Sequence, residues 1–96
     1  MNRTINNIAV KQHKWVESKN WHNKLPLEYL ALIASEVGEA INECRGEVPT
    51  NKLGFELADI VLRTLDFAIE MGIDIEDVIL IKMSDNLTRD FTNKLK

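Results

Sequence analysis

Glu56-Leu57-Ala58-Asp59-Ile60-Val61-Leu62-Arg63-Thr64-Leu65-Asp66-Phe67-Ala68-Ile69-Glu70-Met71 is the stretch that decides the fold. At ~100° per residue, its residues Leu57, Ile60, Val61, Leu62, Leu65, Phe67, Ala68 and Ile69 cover a helical arc of about 220°. A helix packed on one side needs an arc of roughly 100° or a little more. The polar remainder is one stripe carrying Glu56, Asp59 and Arg63. The spacing predicts a helix capped by Thr50 or Asn51, running to about Met71 and stopped by Gly72. It also predicts burial on more than one side. One short chain has too few helices to surround this one, so the pattern predicts a homo-oligomer with the helix at the subunit interface.

Three further helices flank it. Thr4 is a suitable N-cap, and Ile5, Ile8, Ala9, Gln12, Trp15 and Val16 follow at helical spacing, to an end around Ser18–Asn20. Pro26 suits the first turn of the next helix, which runs to about Arg45 with Gly46 as its stop. Its apolar set runs from Leu27 to Cys44, and Glu36, Glu39 and Glu43 edge that face. Gly38 in its middle predicts close approach of a neighbouring helix, because glycine there costs about 1 kcal/mol in propensity. Asp74 caps the last helix, with Asp77 three residues on, and Phe91 precedes a polar tail, Thr92–Lys96. No run alternates polar and apolar residues long enough to suggest a sheet. The expectation is a single all-α domain, a four-helix chain forming an oligomeric helical bundle.

Composition narrows the function classes. Ninety-six residues make one domain, and a chain this short gains from oligomerisation because it buries a small share of its surface. The one cysteine, Cys44, excludes an internal disulfide; it reads as a small core residue in a reducing compartment. No N-terminal signal pattern and no membrane-length apolar run are present, so the expected location is cytoplasmic, with no membrane partner. A net charge of −3 argues against polymeric nucleic acid, whose binding needs a basic face.

Two acid pairs carry the chemistry. Glu36-x-x-Glu39 and Glu56-x-x-Asp59 each place two carboxylates on one helix face. One such pair alone is an ordinary solvated face. Here Glu36 lies at the edge of an apolar face, and Glu56 and Asp59 occupy the only polar stripe of an apolar helix. Acids at a core boundary need a compensating charge, and oxygen-only ligands suit Mg²⁺ or Mn²⁺. A di-iron bundle would require Glu-x-x-His, but Asn42 and Leu62 stand where those histidines belong. On the last helix Lys82, Asn86 and Arg89 share a face suited to phosphate.

The order Glu36-x-x-Glu39, Glu56-x-x-Asp59, Lys82-Met83-x-x-Asn86-x-x-Arg89 resembles the MazG-like all-α nucleoside triphosphate pyrophosphatases, in particular small single-domain members related to dCTP pyrophosphatase. The resemblance spans Trp21 to Phe91. It implies a dimer or dimer of dimers that cleaves a nucleoside triphosphate between its α- and β-phosphates, with Mg²⁺ held by Glu36, Glu39, Glu56 and Asp59. One of these acids would orient or deprotonate the attacking water. Lys82, Asn86 and Arg89 would contact the triphosphate. Trp21-His22 matches in position an aromatic–histidine pair that lines the base pocket of relatives, and Trp15 is a second stacking candidate; packing roles suit both tryptophans equally. Arg63 stands where some relatives carry an aromatic residue, and is placed either to pair with the acids or to reach a phosphate. The alternatives are a phosphoribosyl-ATP pyrophosphatase-like enzyme and a non-catalytic helical dimerisation module. The second explains the over-apolar helix without a metal.

Overall fold

The computed structural model describes residues 4–88. They form four α-helices: α1 (Thr4–Ser18), α2 (Pro26–Asn42), α3 (Leu53–Glu70) and α4 (Ile75–Leu87), with no strand among the described residues. Arg89, Phe91 and the tail lie outside them. The all-α expectation holds, and α1 starts and stops where its spacing indicates.

Helix ends follow local hydrogen-bond chemistry. At the start of α2, Pro26 needs no amide partner, and the Glu28 carboxylate accepts the Leu25 N–H at 2.7 Å. The helix ends at Asn42, three residues short of expectation. Glu43 and Cys44 donate back to Ala40 and Ile41 at i−3, tightening the last turn. The Glu43 carbonyl, which a continuing helix would give to residue 47, instead accepts the Thr50 N–H at 2.9 Å. Thr50 therefore folds back on α2 while its Oγ1 accepts the Lys52 N–H at 3.2 Å, and the N-cap of α3 is Lys52. At the other end of α3, Gly72 takes a φ of 71°. Its N–H reaches the Ile69 carbonyl and the Ile73 N–H reaches the Ala68 carbonyl, a Schellman turn that satisfies two orphan carbonyls. Asp74 caps α4 by accepting the Asp77 N–H.

The helices do not close into a full bundle. α3 packs along both α1 and α2, α4 meets only α1 and α3, and the backbones of α1 and α2 stay apart. One clasp joins the beginnings of α1 and α4. The Asn6 N–H donates to Glu76 Oε1 at 3.0 Å, its Nδ2 donates to Asp74 Oδ1 at 2.9 Å, and its Oδ1 accepts the Glu76 N–H at 3.3 Å. Each helix thus caps exposed amides of the other.

The core is thin. Among the described residues the buried apolar side chains are Ala9, Val16, Tyr29, Ala40, Leu65 and Ala68, and no large side chain is fully enclosed. Tyr29 stacks on Phe67 at 5.1 Å. The radius of gyration is 15.8 Å, against about 12 Å for a compact chain of this length. Leu57 and Val61 on α3 remain about half exposed, and Phe55 is 74% exposed, so the surplus of the apolar arc is uncovered within one chain. Two expectations fail. Cys44 is exposed and belongs to no core. Among the described residues, a Cβ on Gly38 would meet no atom of another element within 4 Å, so none of the other three helices approaches it.

Candidate metal centre and adjoining cleft

α2 and α3 run side by side, which turns their two acid pairs toward each other. Ligand oxygens of Glu36, Glu56 and Asp59 all lie within 4.8 Å of one another. Glu39 is exposed, as Asp59 is, and falls outside that group, yet its charge still acts on Glu56. Partial loss of water raises the Glu56 carboxyl above the usual range, and the charges of Glu39, Asp59, Glu36 and Glu43 raise it further. That crowding is what a divalent cation relieves. The donors are all carboxylate oxygens, and the group therefore fits Mg²⁺ or Mn²⁺. Arg63, one turn beyond Asp59, sets its Nε 3.3 Å from Glu36 Oε1. The side chain is 43% exposed, so the pair is solvent-screened.

Beside the acids a cleft of about 250 Å³ opens between α1 and α2, with α3 as its floor. Trp15, Trp21, Gln12 and Lys24 line one part of it, and Glu36, Asp59, Arg63 and Asp66 line the other. The two indoles meet edge to face at 5.4 Å, and each is about half exposed. The volume is below the ~300–1,000 Å³ of ordinary small-molecule sites. Lys82 is exposed and Asn86 half-buried on α4, which contributes no residue to the cleft and has no contact with α2. Arg89 lies outside the described residues.

His22 does not line the cleft. Its Nδ1 hydrogen-bonds to Glu17 Oε1, and its Nε2 lies 2.7 Å from Asp66 Oδ1. Burial disfavours the charged ring, but the bonds to Glu17 and Asp66, with the charges of Asp66 and Glu70, outweigh it and raise its pKa. Glu70 goes the other way. The hydrogen bond from His13 lowers its carboxyl, more than burial raises it, and His22 adds to the lowering. Tyr29 donates to the His22 carbonyl at 3.0 Å; burial, then Glu70 and Asp66, raise its phenol.

The sequence reading did not place Gln12, Lys24, Tyr29 or Asp66 in the cleft, nor did it bring His13, Glu17 and Glu70 together. The signal available was pairing at i, i+4 on two helices, His13 with Glu17 and Asp66 with Glu70. No protein-family profile, curated protein sequence or solved structure matches the chain. No helix among the described residues is long and apolar enough to cross a membrane.

Proposed function

We propose that the protein is a Mg²⁺-dependent nucleoside triphosphate pyrophosphohydrolase, with Mn²⁺ as a substitute ion. One observation carries the reading: Glu36, Glu56 and Asp59 converge within 4.8 Å at the edge of a cleft walled by two tryptophans. Glu36, Glu39, Glu56 and Asp59 would hold the metal, which when bound supplies a positive centre for the phosphates and lowers the pKa of water. The order of acidic and basic motifs noted above supports the same reading.

The chain's own residues have separate tasks. Water adds to phosphorus, the α–β anhydride bond breaks, and monophosphate and pyrophosphate leave. One of the four acids, left with a free carboxylate oxygen beside the ion, would orient that water or take its proton. Trp15 and Trp21 offer aromatic surface to a base. Lys82, Asn86 and Arg89 would reach the phosphates from another copy of the chain, because α4 does not reach the cleft of its own. A homodimer or dimer of dimers would cover Leu57, Val61 and Phe55 and enlarge the cleft. The base, and ribose against deoxyribose, are matters for the substrate panel.

The test is direct. Purified protein with Mg²⁺ and a panel of ribo- and deoxyribonucleoside triphosphates should release pyrophosphate and a monophosphate, and EDTA should stop it. Release of orthophosphate alone would contradict the cleavage position. No turnover of any nucleotide by an intact oligomer would favour the dimerisation module.

A further inference from the structure

A second group of ligand-bearing side chains lies at the other end of α3. His13 and Glu17 come from α1, His22 from the α1–α2 connector, and Glu70 from α3. One donor atom from each lies within 4.8 Å of all the others. The two imidazoles stack with centroids 4.3 Å apart and 21° between planes. Both turn a nitrogen toward one oxygen: Glu70 Oε1 is 2.9 Å from His13 Nε2 and 3.6 Å from His22 Nδ1. Glu17 Oε1 meets the same His22 Nδ1.

We propose that His13, Glu17, His22 and Glu70 form a binding site for a divalent first-row transition ion of the Zn²⁺ class, separate from the carboxylate site. Mixed imidazole and carboxylate donors select such ions, whereas Mg²⁺ takes oxygen alone. The surroundings have the arrangement of a metal site's outer layer. Asp66 Oδ1 accepts the His22 Nε2–H at 2.7 Å, and both side chains are 8% exposed. A carboxylate on the far ring nitrogen fixes the tautomer and aims the Nδ1 lone pair at the ion. The Tyr29 hydroxyl, 3.5 Å from Glu70 Oε2, stands behind the second carboxylate. Glu17, Asp66 and Glu70 are three carboxylates against two imidazoles, an excess of negative charge that a dication balances. On binding, the ion replaces the proton shared by His22 Nδ1 and Glu17, and that proton leaves to solvent. The ion would join three segments that otherwise meet through a small core.

His13 and His22 are the only histidines of the chain, which makes the site readable atom by atom. In untagged protein labelled with ¹⁵N-histidine, one equivalent of Zn²⁺ should move the His13 Nε2 and His22 Nδ1 resonances and leave His22 Nε2 protonated. One equivalent of Mg²⁺ should move neither. Glu17→Gln changes a side chain 64% exposed, so the fold survives, and Zn²⁺ affinity should fall about tenfold or more. Glu56→Gln/Asp59→Asn removes the carboxylate site and should leave the ring shifts intact, so failure here and failure of the hydrolase reading are distinguishable. Unchanged ring spectra with Zn²⁺ would overturn the proposal. So would ring shifts that vanish in Glu56→Gln/Asp59→Asn while persisting at full affinity in Glu17→Gln.

Discussion

At its N-terminal end α3 sets Glu56 and Asp59 beside Glu36, and at its C-terminal end it sets Asp66 and Glu70 beside His13 and His22. The same residue types meet opposite surroundings. Partial loss of water and then the facing acids raise Glu56, whereas the hydrogen bond from a histidine ring lowers Glu70. Local sequence on α3 does not decide this; the elements packed against it do. The first group is oxygen-only, and Arg63 beside Glu36 answers only part of its negative charge. The second is mixed nitrogen and oxygen, and much of its charge is answered from within the chain.

The sharpest way to break this comparison is to neutralise the first group. Glu56→Gln should lower pyrophosphate release at least a hundredfold, on the scale of losing one preorganised charge contact (~10²–10³), with helical circular dichroism unchanged. Activity near wild type would detach the acids from the chemistry.

Subunit dependence separates the two ends further. Val61→Glu places a charge on the uncovered flank of α3, where each buried aliphatic side chain contributes about 1.5–3 kcal/mol. Sedimentation should show the dissociation constant of the oligomer rising at least about tenfold, and hydrolysis should fall with it. The histidine ring signals should persist, since that group lies within one chain. Loss of both together would mean that the ends are not independent.

Proton linkage supplies a smaller contrast, measured by urea unfolding in EDTA from pH 4 to 8. Glu70 is lowered, so its contribution is full above about 4.3 and is lost as pH falls through its folded value. His22 is raised, so its contribution is full below about 6.5 and is lost as pH rises through its folded value. The C-terminal group therefore stabilises most between these limits. Glu56 is raised, so its charging destabilises as pH climbs from about 4.3 through its folded value. Glu56→Gln should flatten that part of the profile and leave the loss above about pH 6.5 in place.

The smallest effect should come from Arg63→Ala. An ion pair with one partner 43% exposed is worth at most about 1 kcal/mol, so the unfolding midpoint should move by only a few degrees. A larger fall would mean that Arg63 holds α2 to α3.

Helix identity was legible because spacing and caps are local. The Gly72 stop and the Asp74 cap act within a few residues of themselves. The convergence of Glu36 with Glu56 and Asp59 was also legible, since two acid stripes flanked apolar faces that had to meet. What escaped depended on distant partners. Nothing near Cys44 in sequence says that α2 stops before it and leaves it exposed, and Gly38 has no close neighbour among the described residues to explain it. Thr50 looked like the cap, but the N-cap position falls to Lys52, with the Thr50 hydroxyl accepting the Lys52 N–H just ahead of the helix. The resemblance puts His22 with Trp21 at a base pocket, yet its ring bonds to Asp66, 44 positions later.

The Asn6 clasp bears on how the chain is made. Its partners are separated by 68 and 70 positions, so during synthesis Asn6 must wait for all of the intervening chain before it finds Asp74 and Glu76. Until then that end frays, and closure of so long a loop comes late in folding. A ribosome stalled before position 74 would hold a nascent chain whose first helix is still unfastened.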